Sequence, residues 1–117
     1  MMHINDVELY FDPLKQVLPY LEKYPGEPEM SKFESGFLCG LLKRRKPKKI
    51  LEVGVAAGGT TAIILQCLKD MNIDTEMYSV DISKDFYIDP TTETGFLAKE
   101  AIEWLKYNNH RFFFGGG

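Results

Sequence analysis

The residues with the clearest chemical potential alternate along one short segment of the chain. Glu52, Gly54, Ala56 and Gly58 are spaced two apart, and Gly59 completes a glycine-rich turn. Glycine permits backbone angles that a side chain forbids, and it lets a ligand approach the main chain closely. A helix that starts at such a turn adds free N–H groups and a partial positive charge. We therefore interpret this segment as a ligand-binding loop for a carboxylate, phosphate or sugar edge.

The elements around the turn must position it. Residues 50–55 form a short, almost continuous apolar run, which predicts a strand buried on both faces, as in parallel sheets. Residues 60–71 are predicted to form a helix, and residues 76–81 a second strand that ends in Asp81. Open α/β sheets bind ligands at the carboxyl ends of their strands. We therefore expect Asp81 to lie beside the turn.

The remaining elements set the fold class. A helix is predicted over residues 93–107 and a third strand over 111–114. The order β-α-β-α-β from residue 50 predicts an α/β fold, a Rossmann-like parallel half-sheet with strand order 3-2-1. Residues 1–49 are predicted to be an N-terminal helical cap, and residues 50–117 the first half of a Rossmann-like domain.

Two helices are predicted within the cap, over residues 12–24 and 31–45. Asp12 is the expected N-cap of the first helix. Ser31 and Glu34 have the spacing of a capping box at the start of the second. The apolar stripe of the second helix is predicted to consist of Phe33, Phe37, Leu38, Leu41 and Leu42.

Two families of ligand compete for the glycine-rich turn. A dinucleotide fingerprint, Gly-x-Gly-x-x-Gly, requires a middle glycine that this chain replaces by Ala56, which disfavours NAD and FAD. The pattern Glu52-x-Gly54-x-Ala56-x-Gly58 resembles the first motif of the class I S-adenosylmethionine-dependent methyltransferases. Residues 54–61, 78–83 and 94–96 are similar to the O-methyltransferase and cephalosporin-hydroxylase-like subgroup, and the resemblance covers about residues 33–117.

The resemblance implies that S-adenosylmethionine is the cofactor and that a methyl group passes to an unidentified small-molecule acceptor. Gly54, Ala56 and Gly58 would line the methionine part of the cofactor, and Glu52 would support the loop or the amino group. The resemblance also implies that Asp81 holds the ribose and that Ile82 packs on the adenine. Two simpler roles stay open, Glu52 as a structural partner of the turn and Asp81 as a strand-end cap. No catalytic residue is identified.

The chain departs from the family in size. It supplies three strands where a complete fold of this family has more, and the strand over 50–55 is left with an open edge, which is a pairing liability. We therefore expect a truncated or partial domain whose edge is closed by a second copy, in a homo-oligomer, or by a missing C-terminal half. Whether this chain alone is an enzyme stays open. The alternatives are a non-catalytic assembly or interaction module and a fragment of an NAD-linked oxidoreductase.

Composition limits the partners and the cellular location that the sequence predicts. A net charge of −3 argues against nucleic-acid partners, and the basic run at 43–49 is interpreted as a solvated helix end. No apolar run is long enough to span a membrane. Two cysteines in apolar contexts indicate reduced thiols and a cytoplasmic location. His3 and His110 are isolated, so no metal site is predicted, and His110 is expected at the surface.

Overall fold

A parallel sheet organises the part of the chain that the computed structural model describes, residues 7–115. These residues form three strands and four helices, which are α1 (Asp12–Leu21), α2 (Lys32–Arg45), β1 (Lys49–Val53), α3 (Gly59–Asp70), β2 (Glu76–Asp81), α4 (Phe96–Leu105) and β3 (His110–Phe114). The strands are parallel and lie in the order β1-β2-β3. The predicted Rossmann-like α/β half-sheet is therefore confirmed, with element ends that differ from the predicted ones by a few residues.

The two faces of the sheet differ in burial. Met77 and Ser79 of β2 are at most 1% exposed and face the helices, whereas Leu51 and Val53 of β1 are 65% and 78% exposed. Val53 pairs in register with Val80, and Val80 with Phe113, so these three side chains share the exposed face. The prediction that the first strand is buried on both faces is wrong within residues 7–115, because no described helix covers the face that carries Leu51 and Val53.

Helix α3 lies at the centre of the helical layer. It packs against α1, α2 and α4. Its buried side chains include Ala62, Ile63, Leu65 and Leu68, all fully excluded from solvent. Because α3 begins directly after the glycine-rich turn, its burial fixes the direction in which that turn leaves β1. None of the helices in the described range has the length and apolar content needed to cross a membrane.

The capping box that begins α2 is confirmed. The Ser31 hydroxyl accepts a hydrogen bond from the Glu34 backbone N–H, and the Ser31 N–H donates to the Glu34 carboxylate. The N-cap prediction for α1 is wrong: Phe11 is the cap residue, and Asp12 lies inside the first turn. There its carboxylate faces the positive end of the helix dipole instead of capping it.

The predicted apolar stripe of α2 is correct only in part. Leu42 is buried and Leu38 packs against the core, whereas Phe33 is 61% exposed. The buried side instead contains small residues, Ser35, Gly36, Cys39 and Gly40. Small residues allow the segment before α1 to approach the helix backbone, and the Tyr10 N–H donates to the Gly36 carbonyl at 3.0 Å. Close approach of two backbones, more than hydrophobicity, determines which side of α2 is buried.

The close approach at Gly40 gives a stability prediction. A Cβ atom at this position would lie 2.0 Å from the Glu8 carbonyl oxygen, which belongs to the backbone and cannot swing away. We expect Gly40→Ala to lower the free energy of unfolding by about 1–3 kcal/mol through overpacking. Helix propensity alone predicts the opposite sign, a gain of about 1 kcal/mol. Urea denaturation measures the difference.

Gly36→Ala is the matched control for this change. Its added Cβ would meet the Phe11 ring, a side chain that can rotate, so we expect a smaller loss of stability. A Gly40→Ala variant as stable as the parent chain would contradict the packing described here.

Candidate ligand-binding cleft

The turn between β1 and α3 has an unusual backbone. Gly54, Ala56 and Gly58 all have positive φ, at +87°, +52° and +98°. Glycine adopts this region at little cost, whereas the methyl group of Ala56 makes it less favourable. The alternation folds the chain tightly enough to connect the end of a strand directly to the first turn of a helix. The sequence prediction of a glycine-rich turn at this place is confirmed.

Asp81 holds the turn from the end of the neighbouring strand. One carboxylate oxygen, Oδ2, accepts from the backbone N–H groups of Val55 at 2.9 Å and Ala56 at 3.3 Å. The other, Oδ1, accepts from the Ser83 N–H at 3.2 Å. Partial burial by itself would raise the pKa of Asp81. The hydrogen bonds from these donors and from the Ile82 N–H lower it by more, so the net pKa lies below the ordinary value. Asp81 is therefore ionised and anchors the turn.

Glu52 is bound beneath the turn by two hydroxyl groups. Its Oε1 accepts from Thr61 Oγ1 of α3 at 2.6 Å and from Ser79 Oγ of β2 at 2.8 Å. Burial raises the pKa of Glu52, and the two hydroxyl donors oppose that rise only in part. Glu52 thus connects β1 to both the helix and the adjacent strand.

The hydrogen-bond network continues to His110, which the sequence predicts at the surface. Ser79 Oγ lies 2.8 Å from His110 Nε2, and burial lowers the pKa of His110 to about 4. The buried Nδ1 atom of this imidazole has no hydrogen-bond partner within residues 7–115. The expectation of a surface His110 is wrong because β3 begins at this residue, and strand alternation turns the ring toward the helices.

The turn, Glu52 and Asp81 border a cleft at the carboxyl ends of β1 and β2. Its volume is about 420 Å³, and its lining residues are Glu29, Glu52, Val53, Gly54, Val55, Ala56, Thr60, Asp81 and Tyr87. An added Cβ at Gly54 would meet nothing within 4 Å. The backbone of Gly54 is therefore open to a ligand on that side.

Four of the six predicted binding residues meet at this cleft, namely Glu52, Gly54, Ala56 and Asp81. The other two do not line it. A Cβ at Gly58 would lie 2.7 Å from the Ala98 backbone nitrogen, so this glycine lets α3 approach α4. Ile82 follows Asp81 but is 90% exposed.

Two residues of the cleft carry no signal in the sequence. The Tyr87 hydroxyl donates to the Glu29 carboxylate at 3.0 Å, which joins the loop after β2 to the loop before α2. Both residues line the cleft, although 58 positions separate them in the chain. Neither lies in a helix or strand that the sequence predicts, so their pairing depends on tertiary structure.

The cleft carries negative charge. Glu29, Glu52 and Asp81 contribute carboxylates, and the lining residues include no lysine, arginine or histidine. Such a surface favours an ammonium or other cationic group and opposes a pyrophosphate. Within the described range no group of three His, Cys, Asp or Glu residues has the arrangement of a metal site, and His3 lies outside that range.

Comparisons with known proteins give a fold and no closer relationship. No protein-family model matches the chain, and no curated protein is significantly similar to it. Among solved structures, the SAH-bound methyltransferase PaMTH1 of Podospora anserina matches with a TM-score of 0.62 at 19% identity. A putative O-methyltransferase of Klebsiella pneumoniae matches with a TM-score of 0.59 at 17% identity. The chain thus has the α/β fold of class I methyltransferases.

These matches cover almost all of this chain but less than half of each neighbour. They cover 96% and 90% of this chain but only 45% and 44% of the two neighbours. The chain therefore spans less than half the length of the structures that it resembles.

The two glycines of the turn give a matched test of their different surroundings. Alanine at either position has to adopt positive φ, which costs about 1–2 kcal/mol. Only Gly58→Ala also drives its Cβ into the backbone of Ala98. We expect Gly58→Ala to destabilise the chain clearly more than Gly54→Ala, as measured by urea unfolding. Equal losses would contradict the packing of α3 against α4 at this point.

The half-buried imidazole of His110 predicts a dependence of stability on pH. Because the pKa of His110 falls to about 4 in the folded chain from its ordinary 6.5, the unfolded state binds more protons between those values. Stability from this group is therefore present above pH 6.5 and lost as the pH falls toward 4. We expect a loss of about 1–2 kcal/mol between pH 7.5 and 4.5 that is missing in His110→Gln, since solvent screens part of the effect at a partly exposed ring.

Denaturant unfolding of both chains across this range measures the difference. Glutamine keeps a donor for Ser79 without titrating, and the raised pKa of Glu52 acts in the opposite sense in both chains. Parallel curves for the parent and the variant would show that His110 is not buried as described.

Proposed function

We propose that this chain binds S-adenosylmethionine in the cleft and forms the cofactor-binding part of a small-molecule methyltransferase. The main observation behind this proposal is that three carboxylates, and no basic side chain, line the cleft around the open backbone of Gly54. The shared fold, and the bound S-adenosylhomocysteine of the Podospora anserina neighbour, support the same cofactor. The methyl acceptor is not identified by any residue described.

The residues of the cleft fit this cofactor by charge and by shape. Its sulfonium and ammonium groups are cations, which the carboxylates of Glu29, Glu52 and Asp81 would complement. Gly54 and Ala56 would lie along the methionine part, where Gly54 leaves the main chain accessible. Thr60, in the first turn of α3, adds a hydroxyl at the same place. A dinucleotide fits less well, because its pyrophosphate would face three negative groups.

Asp81 already accepts hydrogen bonds from the Val55 and Ala56 N–H groups of the turn and from the Ser83 N–H. The Ile82 N–H also lowers the pKa of Asp81. We infer that a ribose hydroxyl would share this carboxylate with the turn. Ile82, with its exposed side chain next to Asp81, would then contact the adenine. Gly58 contributes indirectly, by seating α3 against α4 and so fixing the turn.

The chemistry supplied by the cofactor when bound is a methyl group already activated by its positively charged sulfur. The contribution of this chain is to orient the cofactor, since correct alignment removes much of the barrier to transfer. Asp81 and Glu52 keep the turn fixed from two sides, and the Tyr87–Glu29 hydrogen bond closes the far wall. None of the described residues is proposed as the catalytic base, and His110 lies below the turn with Ser79, outside the cleft lining.

A second candidate function, an assembly module, is favoured by the uncovered face of the sheet. Leu51 and Val53 of β1 and Phe113 of β3 are each more than half exposed on that face. We propose that this surface is covered either by further chain that completes the sheet or by a second copy of this chain. Transfer of a methyl group would then require that completion. A module without a cofactor role would share this surface but would not bind the cofactor.

Binding of S-adenosylhomocysteine separates these proposals. We expect isothermal titration calorimetry to detect it, and we expect Asp81→Asn to weaken it about tenfold, since a hydrogen bond to a charged group is lost. Asparagine keeps one oxygen for the Val55 and Ala56 N–H groups but loses the acceptor for the Ser83 N–H. Urea unfolding of the variant therefore separates loss of the turn from loss of the ribose contact. Asp74→Asn, an exposed change in the loop two residues before β2, is the control and should bind like the parent.

Two results would overturn the proposal. The first is no heat of binding and no thermal shift with the cofactor at millimolar concentration. The second is tighter binding of NADH than of S-adenosylhomocysteine, which would favour an oxidoreductase fragment.

A further inference from the structure

A second cavity lies next to the cleft, between the loop that precedes α2 and the loop that precedes α4. Its volume is about 580 Å³, larger than that of the cleft. Its walls are residues 24–27, Glu29, Ala57, residues 86–89, Thr92 and Phe96. A cavity of this size is in the range that holds a small organic molecule. Of these walls the proposed binding of the cofactor uses only Glu29 and Tyr87.

Aromatic rings form a continuous wall of this cavity. Tyr24 and Phe96 pack edge to face with ring centroids 5.5 Å apart, and Phe96 and Phe86 do so at 5.6 Å. Phe86 and Tyr87 continue the row at 5.3 Å. Phe86 is buried, whereas Tyr87 is 68% exposed, so the wall runs from the interior to the mouth. We refer to Tyr24, Phe86, Tyr87 and Phe96 as the aromatic wall.

The charges of the cavity are all of one sign. Glu27, Glu29 and Asp89 line it, and the lining residues include no lysine, arginine or histidine. Hydrogen bonds from Thr91 and Thr92 lower the pKa of Asp89, so this carboxylate is ionised. Glu27 is half-buried. Its pKa is raised mainly by this burial and to a smaller extent by repulsion from Glu29. A positive group placed here would relieve that repulsion.

We propose that this cavity is a second binding site, specific for a small organic cation with an aromatic or apolar body. The faces of aromatic rings attract cations, and the attraction is strongest where water is excluded. The aromatic wall supplies the rings and the apolar contact, and the three carboxylates supply the counter-charge. A neutral molecule of the same shape would gain only the contact with the wall, and an anion would be repelled.

The site is separate from the cleft but adjoins it. Glu29 and Tyr87 line both cavities, and the hydrogen bond between them forms the partition. Glu27, Asp89 and the other three rings line only the second cavity. The proposal therefore goes beyond the proposed function, because a cation can bind here whether or not the cleft holds a cofactor.

The test compares two probes of equal size and different charge. Benzylamine is a cation at pH 7, and benzyl alcohol is its neutral counterpart. Each is titrated into the full chain while backbone and aromatic signals are followed by NMR, which also identifies the residues contacted. We expect benzylamine to shift the signals of Phe86, Phe96 and Ala57 and to bind at least about tenfold more tightly than the alcohol.

Two variants assign the charge effect to the cavity. Glu27→Gln removes one carboxylate that lines only this cavity and keeps the shape of the side chain. We expect it to weaken benzylamine about fivefold and to leave benzyl alcohol unchanged. Glu103→Gln, an exposed change near the far end of α4, is the control and should leave both probes unchanged.

Saturating S-adenosylhomocysteine distinguishes this site from the cleft. Benzylamine that still binds in its presence, at the same residues, supports a second site. Complete displacement would overturn the proposal, since the cation would then occupy the cleft itself. Equal affinity for the two probes, shifts confined to other residues, or no binding at millimolar concentration would overturn it as well. Benzylamine binding without any S-adenosylhomocysteine binding would support this proposal and count against the proposed function.

Discussion

The carboxylate of Asp81 is the contact on which the cleft depends. Three positive φ angles turn the backbone N–H groups of Val55 and Ala56 away from any strand partner and toward the end of β2. An unsatisfied buried N–H costs about 1–3 kcal/mol, so a turn of this shape needs an acceptor at that place. An ionised carboxylate is a strong acceptor, and the donors in turn keep its pKa low. This contact and the burial of α3 together fix the turn, and with it the opening at Gly54.

A second polar layer supports the first from below. Glu52, Thr61, Ser79 and His110 form one hydrogen-bonded chain that crosses all three strands and reaches α3. A buried carboxylate is tolerated there because two hydroxyl groups donate to it. The structural role and the ligand role of Glu52 and Asp81 are consequently compatible. The same groups that fix the turn would also provide the negative charge that we propose for cofactor binding.

The placement of charge and of apolar surface gives the described part of the chain three distinct regions. Acidic residues gather at the carboxyl ends of the strands, in the cleft and in the cavity beside it. The basic run lies at the opposite end, where α2 finishes and β1 begins with Lys49. The third region is the uncovered sheet face around Val53, which presents apolar side chains instead of charge.

The sequence by itself determined the elements and the turn, because these depend on local chemistry. Alternating glycines between an apolar run and a helical pattern, the capping box at Ser31, and an acid at the end of β2 each have a meaning within a few residues. Burial was decided only by the tertiary structure. Val53 is exposed because no described helix covers its face of the sheet, and small residues instead of the Phe33 ring occupy the buried side of α2. His110 is half-buried because its strand starts one residue earlier than predicted and the ring turns toward the helices. The partnership of Glu29 with Tyr87 likewise depends on two loops that meet only in the folded chain, and no spacing along the sequence encodes that meeting.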